Sequence, residues 1–130
     1  IPKRDWSSDV CSSDLRILLV EDDPTMRSLL VTLLKLEKHE VIICDEFQEN
    51  SILSLIESKK PEMIIMDVTL KSINGLNVLA KIREISTYQS IRILMASGYD
   101  LEQECIHAGA DGFLLKPYMP SDLINWINQS

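Results

Sequence analysis

The 130-residue sequence lacks several features that would assign it to a membrane, secreted or nucleic-acid-binding class. No apolar run approaches the roughly 20 residues that a membrane-spanning helix needs, and the polar start has no apolar signal-peptide segment. Basic residues are scarce, with 13 Lys and Arg against 20 Asp and Glu, which gives a net charge of -7. This charge argues against non-specific binding of nucleic acid or anionic membranes.

Cysteine and histidine are also scarce, and neither forms a pattern typical of a metal site. Cys11, Cys44 and Cys105 make an odd number without metal-ligand spacing, so we expect buried free thiols in a reducing cytoplasm. His39 and His107 have no acidic or cysteine partner at ligand spacing. We interpret both histidines as surface or helix-end residues.

The first 15 residues have neither helical nor strand periodicity. They contain two similar segments in succession, Trp-Ser-Ser-Asp-Val at 6–10 and Cys-Ser-Ser-Asp-Leu at 11–15. Codons for the second segment can spell the end of a common sequencing adaptor, and the chain starts with Ile. We therefore predict a non-native or disordered leader at 1–15 and one domain at 16–130, with a natural disordered tail as the alternative.

From residue 16 onward, short apolar segments alternate with segments of helical period. Strands are predicted at 16–20, 41–44, 63–67, 91–96 and 112–115. Helices are predicted at about 24–36, 52–59, 75–85, 101–107 and 121–128, with Asp23 capping the first and Ser121 the last. Parallel neighbours need a crossover between them, so this alternation predicts a parallel α/β sheet covered by helices on both faces.

The third strand has the most informative sequence. Four apolar residues, Met63–Met66, run directly into Asp67, and a polar loop follows at 71–75. Such a short continuous apolar run is typical of a strand buried on both faces. Asp67 is therefore expected at the carboxyl edge of the sheet, where open α/β folds bind their ligands.

Other polar side chains reach the same edge if all five strands are parallel. They are Glu21, Asp22 and Asp23 after the first strand, Ser97 after the fourth and Lys116 after the fifth. Clustered carboxylates repel one another, and oxygen ligands suit Mg²⁺, which often shares its coordination shell with a phosphate. A hydroxyl and an ammonium group can hold the phosphoryl oxygens, so the set predicts phosphoryl transfer to a carboxylate, giving an aspartyl phosphate.

These motifs resemble the receiver domain of two-component response regulators, including chemotaxis regulators. The matching segments are 17–24, 66–70 with Gly75 eight residues beyond Asp67, Ser97-Gly98 thirty residues after Asp67, and 109–113 leading to Lys116-Pro117. The resemblance covers residues 16–130. It implies a flavodoxin-like, doubly wound α/β fold with a five-stranded parallel sheet of order 2-1-3-4-5 and five helices.

For the reaction, the resemblance implies that Asp67 accepts a phosphoryl group from a phosphohistidine. The donor would be a histidine kinase or a histidine phosphotransfer protein. Asp22 and Asp67 would bind Mg²⁺ directly, Glu21 mainly through water and Thr69 through its backbone carbonyl, while Asp23 is expected to cap a helix. The domain is expected to be a signalling phosphoacceptor rather than an enzyme, one that assists its own phosphorylation and can lose the group by hydrolysis.

For the response, the resemblance implies that Ser97 and Lys116 bind phosphoryl oxygens and that Phe113 follows Ser97 as an aromatic switch. Thr69 and Tyr99 would flank the path of the attacking water and tune the phosphoryl lifetime. The surface of the fourth helix, fifth strand and fifth helix would change. The resemblance also allows an output domain or partner protein and a weak dimer, in the cytoplasm and without direct contact with nucleic acid or membrane.

The sequence departs from the usual receiver pattern in three places. Lys71 replaces a proline, Phe113 lacks the hydroxyl of the commoner tyrosine, and the segment before Lys116 predicts a fourth helix about one turn shorter. These departures keep open a receiver-like module that binds partners without phosphorylation. An Asp-nucleophile phosphatase is disfavoured because Thr69 stands where its acid would be, and a flavin mononucleotide carrier is disfavoured because the acids after the first strand would repel phosphate.

Overall fold

The computed structural model describes residues 15–129, which form alternating strands and helices. The strands are β1 (Arg16–Val20), β2 (Glu40–Ile43), β3 (Met63–Asp67), β4 (Arg92–Ser97) and β5 (Gly112–Leu115). The α-helices are α1 (Pro24–Leu36), α2 (Glu49–Lys59), α3 (Gly75–Glu84), α4 (Glu102–His107) and α5 (Pro120–Asn128). A short 3-10 helix at Ser86–Tyr88 follows α3.

The five strands form one parallel sheet in the order β2-β1-β3-β4-β5, which confirms the predicted flavodoxin-like α/β fold. Every residue of β3 and β4 is buried. Alternate side chains enter two separate cores, so Ile64 and Met66 pack on one face of the sheet while Met63 and Ile65 pack on the other. The continuous apolar run before Asp67 is therefore explained by burial on both faces.

Two helix caps were predicted, at Asp23 and at Ser121, and the structure confirms only the first. Asp23 caps α1 as expected, because its side chain accepts a hydrogen bond from the Thr25 N–H at 3.0 Å. The prediction that Ser121 caps the last helix was wrong, since α5 already begins at Pro120. Proline suits a first helical turn, and the Asp122 side chain accepts the Met119 N–H at 3.0 Å.

The interpretation of His39 as a surface or helix-end residue was also wrong. His39 is buried, and its Nδ1 accepts a hydrogen bond from the Leu15 N–H at 3.2 Å. Leu15 is itself buried, and its carbonyl accepts the Glu40 N–H at 2.9 Å, so this residue of the predicted leader packs with the fold. Residues 1–14 lie outside the described part of the chain. His107 ends α4 and is exposed, as predicted.

The two described cysteines, Cys44 and Cys105, are free and buried, as predicted, and Cys11 lies outside the described residues. Helix α4 has only six residues, which agrees with the short spacing before Lys116. Across residues 15–129, none of the helices combines the length and the apolar character that a membrane span requires.

Helix α5 is attached to the sheet by an arginine at the start of β4. The Arg92 guanidinium lies 4.3 Å from the centroid of the Trp126 ring, a cation–π arrangement. It also donates hydrogen bonds to the carbonyls of Ile127 at 3.0 Å and Trp126 at 2.9 Å. Gly112 leaves room for the Trp126 indole, because a Cβ at Gly112 would lie 2.2 Å from its Nε1.

Candidate functional site

Asp67 ends the central strand β3 and forms an ion pair with a lysine from the sheet edge. The Lys116 Nζ donates a hydrogen bond to Asp67 Oδ2 at 2.9 Å and lies 2.7 Å from Oδ1. The same Nζ donates to Glu21 Oε1 at 3.1 Å. The structure thus brings together three predicted site residues that are far apart in the sequence.

The position of Lys116 is fixed by the sheet. Its backbone N–H donates to the Ser97 carbonyl at 2.7 Å, one step beyond the register pair Ser97–Leu115. Burial lowers the pKa of the Lys116 side chain, but the hydrogen bonds to Asp67 and Glu21 outweigh burial and leave the pKa raised. Lys116 is therefore a stable cation at neutral pH, directly beside Asp67.

Three carboxylates converge at this edge. Glu21, Asp22 and Asp67 each offer an oxygen atom, and these atoms lie within 4.8 Å of one another. Burial raises the pKa of Asp67 to about 7; Lys116 opposes the rise, and the Glu21 charge adds to it. Carboxylates held this close favour a proton or a cation between them.

One carboxylate oxygen of the cluster has room for a divalent cation as a further partner. Asp67 Oδ1 is buried, and although Lys116 Nζ is near, no donor within residues 15–129 makes an aligned hydrogen bond to it. A buried acceptor without such a bond is unusual. An oxygen without an aligned hydrogen bond, beside two further carboxylates, fits Mg²⁺, which binds through a few carboxylates and keeps several waters.

Asp23 is not part of the carboxylate cluster. Its side chain is committed to capping α1, and its backbone N–H donates to Glu21 Oε2 at 3.2 Å. The preference for a capping role over metal binding is therefore confirmed. The contact with Glu21 also ties the second carboxylate oxygen of that buried residue to the start of the helix.

The predicted switch residues lie on β4, which neighbours β3, and on β5, the next strand beyond it. Ser97 is buried at the end of β4, and its Oγ accepts a hydrogen bond from the Tyr99 N–H at 3.0 Å. Phe113, half-buried on β5, is in register with Met95 and packs against the larger core. The side chains of Thr69 and Tyr99 are exposed at the rim of the site.

The loop after Asp67 carries the departure at Lys71, whose side chain is exposed. The neighbouring Ser72 hydroxyl donates a hydrogen bond to the Phe47 carbonyl, which links this loop to the segment before α2. Residues 68–74 line an open cavity of about 320 Å³. The loop that lacks the usual proline therefore has a side-chain attachment of its own.

One residue beside the site was not singled out from the sequence. Tyr118 is half-buried, and burial raises the pKa of its phenol to about 12, with smaller effects from the charges of Lys116, Glu21 and Asp67. The phenol is therefore protonated and within the electrostatic field of the carboxylate cluster. Its position two residues after Lys116 is the only sequence signal that could have identified it.

Comparison with known proteins is consistent with this geometry. A family model described as the response regulator receiver domain matches residues 17–128. The nitrate/nitrite response regulator NarL of Escherichia coli is 32% identical over 117 residues, which cover 88% of this chain and 53% of NarL. The chain thus spans about half the length of this relative.

Two smaller proteins match over nearly their whole length. The chemotaxis protein CheY of Thermotoga maritima is 28% identical over 115 residues, covering 88% of this chain and 95% of CheY. The solved structure of the chemotaxis response regulator CheY4 of Vibrio cholerae has a TM-score of 0.79 and 25% identity, covering 88% of this chain and 96% of CheY4.

Proposed function

The chain belongs to the response regulator receiver family, and on this premise we propose that it is a phosphoacceptor whose phosphorylated residue is Asp67. An Asp67 oxygen attacks the phosphorus of a phosphohistidine on a histidine kinase or histidine phosphotransfer protein. The P–N bond breaks, and the imidazole keeps the electron pair. The observation that carries this proposal is the buried Asp67 carboxylate between Lys116 and the acids Glu21 and Asp22.

We further propose that the carboxylate cluster binds Mg²⁺. Asp22 and Asp67 would hold the ion directly, Glu21 mainly through water and Thr69 through its backbone carbonyl. When bound, the ion supplies positive charge that offsets the carboxylates and the phosphoryl oxygens. Asp67 Oδ1, which accepts no aligned hydrogen bond from the described residues, supports this assignment.

The protein's own side chains would do the remaining work. Lys116 already forms an ion pair with Asp67 and, after phosphorylation, can pair with a phosphoryl oxygen. The Ser97 hydroxyl accepts the Tyr99 N–H, and it can still donate its own proton to a second phosphoryl oxygen. Thr69 and Tyr99 stand exposed beside Asp67 and Ser97 and would control the access of water, and with it the lifetime of the acyl phosphate.

The response would follow from added charge. A phosphoryl group adds about -1.5 to -2 charges at neutral pH, which draws Ser97 towards Asp67 and opens space for Phe113. Because Phe113 has no hydroxyl, this movement would be driven by packing alone. It would alter the surface of α4, β5 and α5, where Ile106 and Leu115 are exposed. An output domain, a partner protein or a second copy of this chain would bind that surface.

The domain is proposed to act in signalling rather than as an enzyme, although it takes part in its own phosphorylation and dephosphorylation. A cytoplasmic location is proposed because the buried thiols Cys44 and Cys105 are free, as expected in a reducing compartment. Direct binding of nucleic acid is not expected for a chain with a net charge of -7.

Intact mass measurement after incubation with Mg²⁺ and a small acyl-phosphate donor tests the proposal. One added phosphoryl group is expected in the wild-type protein and none in Asp67→Asn. If no adduct forms with or without Mg²⁺, the chain is a binding module that works without phosphorylation. Catalytic turnover of unrelated phosphate esters would instead indicate a phosphatase.

A further inference from the structure

Helix α3 begins directly against the backbone of the phosphoacceptor. A Cβ at Gly75 would lie 2.2 Å from the Asp67 carbonyl oxygen, 3.0 Å from Val68 Cα and 3.1 Å from the Asp67 carbonyl carbon. The Gly75 N–H donates to the Val68 carbonyl at 2.6 Å. The first residue of the helix is therefore in contact with the Asp67–Val68 peptide, and it leaves no room for any side chain.

The size of this conflict matters because both partners are backbone. Ordinary contact begins near 3.4 Å, so a side chain at Gly75 would push the Asp67 carbonyl away by about 1.2 Å, the difference between 3.4 and 2.2 Å. Mg²⁺ tolerates little such error, since it requires near-ideal octahedral geometry at about 2.0–2.1 Å. A shift of the Asp67–Val68 peptide would move the Asp67 carboxylate and, two residues on, the Thr69 carbonyl.

We propose that Gly75 is a positioning residue for the metal and phosphoryl site. This inference rests on the proposed phosphoacceptor function. The absence of a side chain at Gly75 lets the start of α3 hold the Asp67–Val68 peptide where the Asp67 carboxylate meets Glu21 and Asp22.

Asn74, the residue directly before Gly75, also holds the start of α3 in place. Its Oδ1 accepts the Leu76 N–H at 2.8 Å, which caps α3. Asn74 also forms an isolated antiparallel bridge with Thr69. The residue that fixes the beginning of α3 is thus joined to the residue whose carbonyl would face the metal.

The chain offers two glycines as matched controls. Gly98 follows Ser97 at the same sheet edge, and a Cβ there would meet no atom within 4 Å. Gly112 lies on β5, where a Cβ would collide with the Trp126 indole at 2.2 Å rather than with the site. Gly98→Ala therefore adds a methyl group close to the site without a collision. Gly112→Ala adds one that collides with Trp126 and should destabilise the fold without contact with Asp67.

The experiment compares Gly75→Ala, Gly98→Ala and Gly112→Ala. Calorimetric titration well below the unfolding temperature measures Mg²⁺ affinity. Mass measurement follows labelling by an acyl phosphate, and urea unfolding measures stability. Groups that orient metal ligands typically contribute about 10–100-fold to affinity, so Gly75→Ala is expected to weaken Mg²⁺ binding about tenfold or more. Gly112→Ala should lower stability while keeping wild-type Mg²⁺ affinity. Gly98→Ala should change neither.

A second pair of variants covers the case in which Gly75→Ala does not fold. Asn74→Ala should weaken Mg²⁺ binding in the folded protein, and Asn74→Ser should restore it because serine is also a strong helix cap. Wild-type Mg²⁺ affinity in folded Gly75→Ala, or in Asn74→Ala where Gly75→Ala does not fold, would overturn the inference and leave the proposed function standing. A wild-type protein that neither binds Mg²⁺ nor accepts a phosphoryl group would overturn both.

Discussion

Lys116 and Asp67 form an ion pair across the carboxyl edge of the sheet, with Nζ 2.7 Å from Oδ1 and 2.9 Å from Oδ2. Asp67 ends β3 and Lys116 directly follows β5, so their contact depends on the parallel arrangement of β3, β4 and β5. Lys116 also reaches Glu21 at 3.1 Å and thus offsets part of the negative charge on two of the three clustered carboxylates. Because Lys116 faces the oxygens on which the phosphoryl group would arrive, it can affect metal binding and phosphorylation in opposite directions.

The first prediction separates these two effects with Lys116→Met. Loss of the cation leaves the acidic cluster more negative, so Mg²⁺ affinity should stay the same or increase. Phosphorylation by an acyl-phosphate donor should nevertheless slow by about tenfold or more, because a cation that stabilises the transferring group is missing. Titration with Mg²⁺ measures the Mg²⁺ affinity, and time-resolved mass measurement gives the rate of phosphorylation.

Lys71→Met is the matched control for that variant, since Lys71 is exposed on the loop after β3. It should behave like the wild-type protein in both measurements. A Lys116→Met protein that folds but no longer binds Mg²⁺ would contradict the assigned role, because the lysine would then be needed to build the metal site rather than to hold the phosphoryl group.

The second prediction concerns the pH dependence of stability in the presence of a chelator. Burial raises the pKa of Asp67 from 3.8 to about 7, so between these values the folded protein holds a proton that the unfolded chain releases. Stability must then fall as the pH rises from about 4 to about 7. Asp67→Asn removes this cost and should stabilise the fold by about 1–3 kcal/mol at pH 8, and much less at pH 4.

Urea unfolding of both proteins at pH 4, 6 and 8 measures this difference. Adding Mg²⁺ should stabilise the wild-type protein at pH 8 and leave Asp67→Asn much less affected, because a bound cation offsets the carboxylate charge. A stability gain in Asp67→Asn that is equal at all three pH values would show that a cause other than ionisation of Asp67 is responsible.

A third prediction follows from the hydrogen bond between the Tyr99 N–H and Ser97 Oγ. Ser97→Ala removes this acceptor and the proposed phosphoryl contact, but it leaves all three clustered carboxylates in place. The variant should therefore bind Mg²⁺ normally and still accept a phosphoryl group. The amide chemical-shift changes of β5 and α5 on phosphorylation should be much smaller than in the wild-type protein, and Ser97→Thr should restore them. Full-sized shift changes in Ser97→Ala would exclude Ser97 as the link.

The residues of the site could be predicted from the sequence because their positions follow from the sheet. Apolar runs locate the strand ends, and parallel topology brings Glu21, Asp22, Asp67 and Lys116 to one edge. Asp23 could be assigned to helix capping because it directly precedes Pro24. In each case a local pattern determines the position, and the tertiary contact follows from a general rule.

The residues that were missed depend on contacts for which the sequence has no local signal. His39 is polar and lies in the connection between α1 and β2, yet it is buried, and the Leu15 N–H donates to its ring. Tyr118 comes within the electrostatic field of the site because it follows Lys116 and packs against the core formed on one face of the sheet. Gly75 could be recognised as a helix start, but its contact with the Asp67 carbonyl is visible only in three dimensions.

The last prediction concerns Arg83, which stabilises the region around the shortened α4. Its guanidinium donates to five acceptors, namely the carbonyls of Gly109, Tyr88, Gln89 and Ile91 and the Asp111 carboxylate, at 2.8–3.3 Å. These contacts join the end of α3 to the start of β4 and to the loop before β5. Arg83→Gln leaves several of the acceptors unsatisfied and should cost about 2–4 kcal/mol of unfolding free energy.

Mg²⁺ affinity and the extent of phosphorylation of folded Arg83→Gln should match the wild-type protein, because none of the five acceptors belongs to the carboxylate cluster. Lys81→Met, an exposed cation on the same helix, should change stability by less than about 0.5 kcal/mol. If Arg83→Gln is fully folded but binds Mg²⁺ more weakly, then the loop before β5 affects the position of Lys116 through β5. Stability equal to that of Lys81→Met would show that water replaces the guanidinium at these carbonyls.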